Sequence, residues 1–329
     1  MRIGSEQRFL TTLPFPGREA WASRCDRIDP ATVSPPALLR RLVAGAARHR
    51  ALIVDGSVGP RDFYLEPLAA LAVRRRPGGA QTPIVLVECQ WKMGGSRLDR
   101  ALTRLGLRAL DGPRVAYCVL TEWERDRFSD TWGVDRGSVF VTPYCHTLSD
   151  AELAAPTSTD GDVFAGGNSL RDYGPLVAAA TRIDAGVTIA TKLLDPPLPP
   201  NVTAGPVPEK RFFELLRHAR AVVVPLAGRD DRTAGQQTYL NAMALGKVAI
   251  VTDSPGVREY VEDGQTGLVV PPGNTDALAD ALGWALDPAN AAAVEQMAAA
   301  AREVALTRFS PERYVETLLS VAERVAERS

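Results

Sequence analysis

Residues 233–272, TAGQQTYLNAMALGKVAIVTDSPGVREYVEDGQTGLVVPP, hold three loops rich in glycine and small residues, with no cluster of acids, bases or metal ligands. Such a segment can bind without doing proton chemistry. A helix beginning near Gln236 turns free main-chain N–H groups and the positive end of its dipole outward, and a diphosphate matches that field. Gly235 lets the main chain come close to a ligand, while Gln236, Gln237 and Thr238 offer neutral hydrogen bonds to phosphate or hydroxyl oxygens. Gly235 and Gly246 can also be plain punctuation around a helix, which suits Gly246, placed as a C-cap, better than Gly235. A second chemical candidate is Glu88, at the end of the apolar run TPIVLVECQ. An unpaired buried carboxylate is costly, so a crevice position accounts for Glu88 better than a core ion pair does. There it is a candidate acid, base or acceptor-binding group.

These groups need a frame, and the chain can supply one. Its 329 residues are 45% hydrophobic, enough for a large core and for two domains. With 38 basic and 39 acidic residues the net charge is −1, which excludes a global field for nucleic acid. The four cysteines, Cys25, Cys89, Cys118 and Cys145, lack CxxC spacing and sit in or beside apolar runs. They read as reduced, buried thiols, and no zinc site or disulfide framework is expected. The N-terminus lacks an apolar leader, and no stretch approaches the roughly 20 apolar residues that span a bilayer, so a cytoplasmic protein is expected.

The first 35 or so residues show weak periodicity and read as irregular or only partly ordered into short elements. Beyond them helices alternate with the strands ALIVDGS, TPIVLVECQ, RVAYCVLT and SVFVTPY. Residues 149–161, polar and small, read as a linker. The alternation then restarts with DVFAGG, GVTIAT, NVTAG, RAVVVPL, VAIVTD and GLVVPP, and VREYVEDG reads as one of the helices between them. Short apolar runs that do not alternate are strands covered on both faces, hence parallel sheets. The expected fold class is α/β, with two doubly wound domains facing each other and a ligand at the carboxyl ends of the strands. The expected division is 1–148, 149–310 and a C-terminal helix, 311–329, that packs back on the first domain.

The segment AGQQTYLNAMALGKVAIVTDSPGVREYVEDGQTGLVVPPGNTDAL resembles the donor-binding signature of the GT-B glycosyltransferases of family 4, also called glycosyl transferases group 1. That signature runs acidic residue, Gly, EAMA.G.P, then GG..E.....G.TG.LV. RHARAVVVPL is similar to the strand before it, and FAGGNSLRDYGPLVAAA to the family's first strand and phosphate loop. The resemblance runs from Asp162 to the end of the chain, and the first half matches in outline. It implies the GT-B architecture, two Rossmann-like domains across a cleft, and metal-independent transfer of a sugar from a nucleotide diphosphate-sugar to an acceptor hydroxyl. Retention is implied too, by front-face attack in which the departing phosphate helps to deprotonate the acceptor. No cofactor is expected beyond the donor substrate, and the acceptor is a small molecule or carrier-linked.

The resemblance also assigns residues. In the family an Arg and a Lys follow the first strand of the second domain. Here Gly167, in the loop Gly166-Gly167-Asn168, stands at the Arg position, and Arg171 stands at the Lys position. Arg171 is the candidate for stabilising the departing diphosphate. Lys192 is either a second such cation or a solvated lysine. The Gly205-Pro206-Val207 turn, with Val207, stands where the family's main chain holds the nucleobase. The first of the family's two acids falls on Thr233 and the second on Asn241, which keeps a neutral hydrogen bond for the ribose. Asp231, beside Asp230, is a stand-in for the missing first acid. Glu259 is in register with the acid of GG..E and is otherwise a solvent-facing helix residue, and Pro255 replaces the first glycine of that loop.

In the first half, the strand where relatives often carry a sugar-contacting His has none, and Glu88 or Gln90 falls nearest. His146, at the hinge, is a candidate crevice residue, whereas His49 and His218 read as surface or structural. Arg97, Arg100, Arg104 and Arg108 share a helix face, read first as solvated. Relatives dock on anionic membranes through such a helix, the less favoured reading. Trp21, Trp91 and Trp132 either stack on a ligand or pack. Two rival functions remain: a nucleotide-sugar epimerase of the same fold, poorly served by three histidines, and a silent sugar-nucleotide-binding partner protein.

Overall fold

The computed structural model describes residues 8–15, 17–57, 65–91, 96–228 and 232–328, with the main chain alone at positions 80 and 99. The chain divides into two compact units, residues 1–143 with 312–329, and residues 144–311.

In the first unit, β1 (Phe9–Thr11), α1 (Glu19–Arg24), β2 (Cys25–Arg27), α2 (Pro35–Gly45), β3 (Leu52–Asp55), α3 (Leu65–Arg75), β4 (Ile84–Val87), α4 (Arg97–Leu110), β5 (Val115–Val119), α5 (Glu122–Trp132) and β6 (Val139–Val141) follow in turn. The strands form one parallel sheet in the order β2-β1-β3-β4-β5-β6. Every residue of β4 and β5 is buried, as their unbroken runs IVLV and VAYCV require when both faces of a sheet are covered. The N-terminal segment, expected to be irregular or only partly ordered, is ordered into short elements. It supplies β1, β2 and α1, elements of three to six residues, too short for periodicity to reveal.

Packing claims the tryptophans. Trp91 meets Phe128 and Trp132 at centroid distances of 5.1 and 5.9 Å, and Trp21 meets Phe15 at 4.9 Å. All three are buried, so the ligand-stacking alternative is set aside for them. His49 is also structural, with Nε2 3.0 Å from Asp26 Oδ2 and Nδ1 2.8 Å from the Gly45 carbonyl.

The second unit contains α6 (Asp150–Ala154), β7 (Val163–Gly166), α7 (Gly174–Ala180), β8 (Val187–Ala190), β9 (Val202–Gly205), α8 (Glu209–His218), β10 (Val222–Val224), α9 (Gln236–Ala244), β11 (Ala249–Thr252), β12 (Leu268–Val270), α10 (Thr275–Leu286) and α11 (Ala291–Thr307). Its parallel sheet runs β12-β11-β10-β7-β8-β9. Two expectations change here. The segment read as a linker contains α6, started by a capping box in which Ser149 and Glu152 exchange side-chain and main-chain hydrogen bonds. VREYVEDG forms only a 3-10 turn, Val257–Glu259. Beyond it, the Glu262 carbonyl accepts from the N–H groups of Gln265 and Thr266, closing a turn where a helix was expected. Glu259 is the last residue of the 3-10 turn and is half-buried, so it is no solvent-facing α-helix residue.

The last helix, α12 (Pro311–Ala326), belongs from residue 312 onward to the first unit. There Arg18 pairs with Glu312, Arg24 with Glu323, and the Arg324 guanidinium lies 4.7 Å from the Phe140 ring centroid.

Candidate functional site

The strand order of the second sheet locates a site before any side chain is considered. From β7 the chain builds outward through β8 and β9, then returns to lay β10 on the other side of β7, with Val222 opposite Phe164 and Val223 opposite Ala165. In open α/β sheets the loops leaving two such strands diverge and form a crevice at their carboxyl ends. Here those loops are sewn together: Asp172 donates to the Pro225 carbonyl (3.0 Å) and Ala227 to that of Leu170 (3.0 Å). Arg171 sits at the seam, bridged through its main chain to Leu226.

The Arg171 side chain folds back over the end of β7. Its Nε donates to the Gly166 carbonyl (3.2 Å), Nη1 to that of Ser169 (2.8 Å) and Nη2 to Thr238 Oγ1 on α9 (3.3 Å). This placement explains why a glycine occupies position 167, where the family pattern has an arginine. Gly167 has φ +111°, and a Cβ there would lie 2.9 Å from Arg171 Nη2 and 3.2 Å from its Cζ. The space belongs to the guanidinium of residue 171. Leu170, with φ +49°, holds strained backbone just before it. Asn168 Oδ1 accepts from Lys192 N (2.8 Å) and Thr191 Oγ1 (3.0 Å), fastening the loop to the end of β8, while the Lys192 side chain is exposed.

The start of α9 completes the arrangement. Gly235 is the N-cap at φ +89°, with no side-chain cap, and its carbonyl accepts from Thr238 and Tyr239. Among the described residues the N–H groups of Gln236 and Gln237 have no protein acceptor, as the first turn of a helix leaves them. Thr233 and Thr238 are buried, and Gln236 is only 5% exposed. Gln237 is exposed and donates through Nε2 to Thr147 Oγ1 (3.2 Å). Asn241 departs from its expected ribose contact: it is 1% exposed, accepting from Thr147 N (2.8 Å) and donating to Thr147 Oγ1 (3.0 Å). Its amide fastens the start of this unit to α9.

Val207 is half-buried against the unit's core. His146 is buried, its N–H donating to the Phe309 carbonyl. Asp230 and Asp231 lie outside the described residues. Sequence reasoning passed over Arg232, whose Nη2 donates to Ser169 Oγ (2.6 Å) on the Arg171 loop. Burial lowers the pKa of Arg171, Tyr173 opposes this, and the Arg232 cation adds to the lowering. A guanidinium keeps its proton in proteins, so Arg171 is a desolvated cation that an anion would stabilise.

In the first unit, Glu88 follows β4 with φ +58°, a conformation that costs a non-glycine residue of order 1 kcal/mol. Its Oε1 accepts from the Tyr314 hydroxyl at 3.3 Å. Burial first, then the Asp55 carboxylate and Glu124, push its pKa to about 7 against the Tyr314 hydrogen bond. The unfolded chain ionises this group near 4.5, so the folded state holds the extra proton between about 4.5 and about 7, and stability falls with rising pH across that window. Glu88→Gln is expected to exceed wild type by about 3 kcal/mol well above pH 7 and to equal it near pH 4.5. Urea unfolding at both pH values measures this, and a difference independent of pH would contradict it.

Among the described residues, no three His, Cys, Asp or Glu groups gather to hold a metal ion. Residues 190–287 match the family described as glycosyl transferases group 1. The whole chain superposes on solved structures of low identity. A glycosyltransferase from Rickettsia africae ESF-5 shares 12% identity over 97% of this chain and 90% of that one, with a TM-score of 0.62. Sucrose-phosphate synthase from Thermosynechococcus elongatus shares 17% over 93% and 84%, TM-score 0.63. Anabaena Alr3699/HepE, solved with UDP-glucose, shares 12% over 97% and 98%, TM-score 0.66. This chain has the GT-B glycosyltransferase fold. No curated protein sequence matches it. The part of this GT-B chain that matches group 1 begins at the end of β8 and takes in Arg232, the whole of α9 and Glu259, whereas Arg171 lies before it.

Proposed function

We propose that the protein transfers a glycosyl group from a nucleoside diphosphate-sugar to an acceptor hydroxyl, with retention and without a metal ion. The observation that carries this is the convergence of the Arg171 guanidinium and the uncapped start of α9 on the switch point between β7 and β10. The group 1 match over the same unit supports it, as do the HepE structures solved with UDP and with UDP-glucose. In the reaction the bond between the anomeric carbon and the diphosphate oxygen breaks, and charge gathers on the departing phosphate. Arg171 and the α9 N–H groups stabilise that charge where water is displaced. The acceptor oxygen forms the new bond to the anomeric carbon and yields its proton to the departing phosphate. Glu88, with Asp55 and Tyr314 around it, is the proposed acceptor-binding group of the first unit.

Incubation with UDP-, GDP- and ADP-sugars in the presence of EDTA tests this. Free nucleoside diphosphate and an α-linked product from an α-linked donor are expected from one of them. An isomerised donor would indicate the epimerase, and binding without turnover the silent partner.

The acceptor-side surface carries one more feature. On α4, Leu98, Leu102 and Leu105 are 67%, 59% and 65% exposed, one stripe of the helix beside Arg97, Arg104 and Arg108. Leucines held in water flanked by cations suit an anionic bilayer surface that carries the acceptor. No helix among the described residues is long and apolar enough to cross a membrane, so contact would be peripheral. Changing the three leucines to Gln is expected to weaken binding to phosphatidylglycerol vesicles by about 100-fold, measured by co-sedimentation. Wild-type protein that stays in the supernatant would contradict it.

A further inference from the structure

We infer that Tyr314 is the positioning residue of the acceptor subsite, the donor that fixes the Glu88 carboxyl so that its second oxygen can take a hydrogen bond from the acceptor hydroxyl. The inference rests on the proposed role of Glu88 and deepens it. Main-chain bonds pin the loop around this residue: Cys89 N donates to the Cys118 carbonyl (2.8 Å), Gln90 N to that of Glu88 (2.6 Å) and Gly56 N to that of Val87 (2.6 Å). None of them orients the side chain. Glu88 leaves β4 at φ +58°, off the course of a strand, so the pleat does not aim it either.

The carboxylates that act on Glu88 have partners of another kind. Asp55 Oδ1 accepts from N and Oγ of Ser57 (2.8 and 2.7 Å), and Glu124 Oε2 from Leu120 N (2.9 Å), so each is tied to its own loop. Glu88 Oε1 is held instead by the Tyr314 hydroxyl, 226 residues away in the chain, and Oε2 has no partner among the described residues. Tyr314 is itself fixed. It is buried near the start of α12, with the Phe15 ring edge-on at 5.8 Å and Trp21 behind Phe15 at 4.9 Å. Its chemistry matters as much as its place: a Lys or Arg there would neutralise the carboxylate, whereas a hydroxyl holds it and leaves its charge for the acceptor. Burial first, then the Asp55 charge, raise the pKa of Glu88, the Tyr314 bond lowers it, Glu124 raises it again, and it stands at about 7. Acceptor binding by the ionised group therefore rises through neutral pH, and losing the Tyr314 bond moves that rise upward.

Initial rates of nucleoside diphosphate release from UDP-, GDP- and ADP-sugars across neutral pH, with water as the acceptor hydroxyl, test the assignment. For whichever donor wild type turns over, the rate is expected to rise through about pH 7. Tyr314→Phe should move that rise up by roughly one pH unit and lower the rate at neutral pH roughly fivefold, with the donor KM unchanged. Glu88→Gln should abolish the rise. Arg24→Gln removes an ion pair of α12 with Glu323, controls for a loosened helix, and should leave the rise in place. Should Tyr314→Phe not fold, Phe15→Leu frees the ring without removing its hydroxyl and carries the same test with a smaller shift. A rise that stays at the wild-type pH in the variant would make Tyr314 structural and overturn the inference while the donor site stands. A flat wild-type profile, or a rise that survives in Glu88→Gln, would remove Glu88 from the acceptor subsite and the inference with it. Wild type that releases no nucleoside diphosphate from any of the three would overturn the inference together with the transferase proposal.

Discussion

Replacing Arg171 by Gln is expected to lower turnover by about 10²- to 10³-fold at saturating sugar nucleotide. The reason lies in how this guanidinium is held. Three hydrogen bonds, to the carbonyls of Gly166 and Ser169 and to the Thr238 hydroxyl, fix it before any ligand arrives. A positioned cation needs no reorganisation when charge develops on the departing phosphate, and a neutral amide offers dipoles alone. Arg171→Lys should recover only part of the rate, since an ammonium cannot reproduce the planar fork. Both variants should lose about 1–2 kcal/mol of stability from the broken contacts, too little to unfold a domain of this size. Initial rates and urea midpoints measured on the same preparations separate the two effects. A rate loss no larger than the stability change accounts for would remove Arg171 from the chemistry.

Gly235→Ala is expected to cost about 3 kcal/mol and to abolish donor binding. At φ +89° any side chain strains the main chain, by about 1–2 kcal/mol for L-residues. The added Cβ would also lie 2.9 Å from Val224 Cγ1, at the end of β10, and 3.2 Å from Leu226 Cδ2 just beyond it, both buried. Overpacking of that kind costs about 1–3 kcal/mol. The segment can relax only by moving the start of α9, which carries the N–H groups of Gln236 and Gln237. Calorimetry should show melting of the second unit lowered by roughly 6–12 °C. Unchanged melting and unchanged nucleotide affinity would mean that the α9 N-terminus is not built as described.

Much of the frame was legible because burial on both faces writes strands as unbroken apolar runs. Leu52–Asp55, Ile84–Val87, Val115–Val119 and Ala249–Thr252 could hardly be read otherwise. The parts that escaped are short or held from a distance. β1 and β2 are three residues each and take their identity from neighbours in the sheet. α6 is five residues long among polar, small neighbours that read as a linker, and it takes its start from the capping box of Ser149 and Glu152. VREYVEDG has helical spacing, but the 3-10 turn that starts at the left-handed Gly256, φ +77°, stops at Glu259, and the chain turns again at Glu262.

The site followed the same division. Glu88 stood out because a carboxylate after an apolar run is costly, and its φ of +58° adds a second oddity at the same residue. Gly235 could be read from the small residues around it. Asn241 could not, because its partner Thr147 lies 94 residues away in the chain. Arg232 escaped because an arginine in a polar loop has no distinguishing pattern. Only the approach of that loop to Ser169 gives it meaning.

A crystal structure with a bound nucleoside diphosphate tests the central claim most directly. The account predicts both phosphates beyond the carboxyl ends of β7 and β10, within hydrogen-bond reach of the Arg171 guanidinium and the N–H groups of Gln236 and Gln237. A nucleotide seated elsewhere, with packed side chains filling that space, would contradict it.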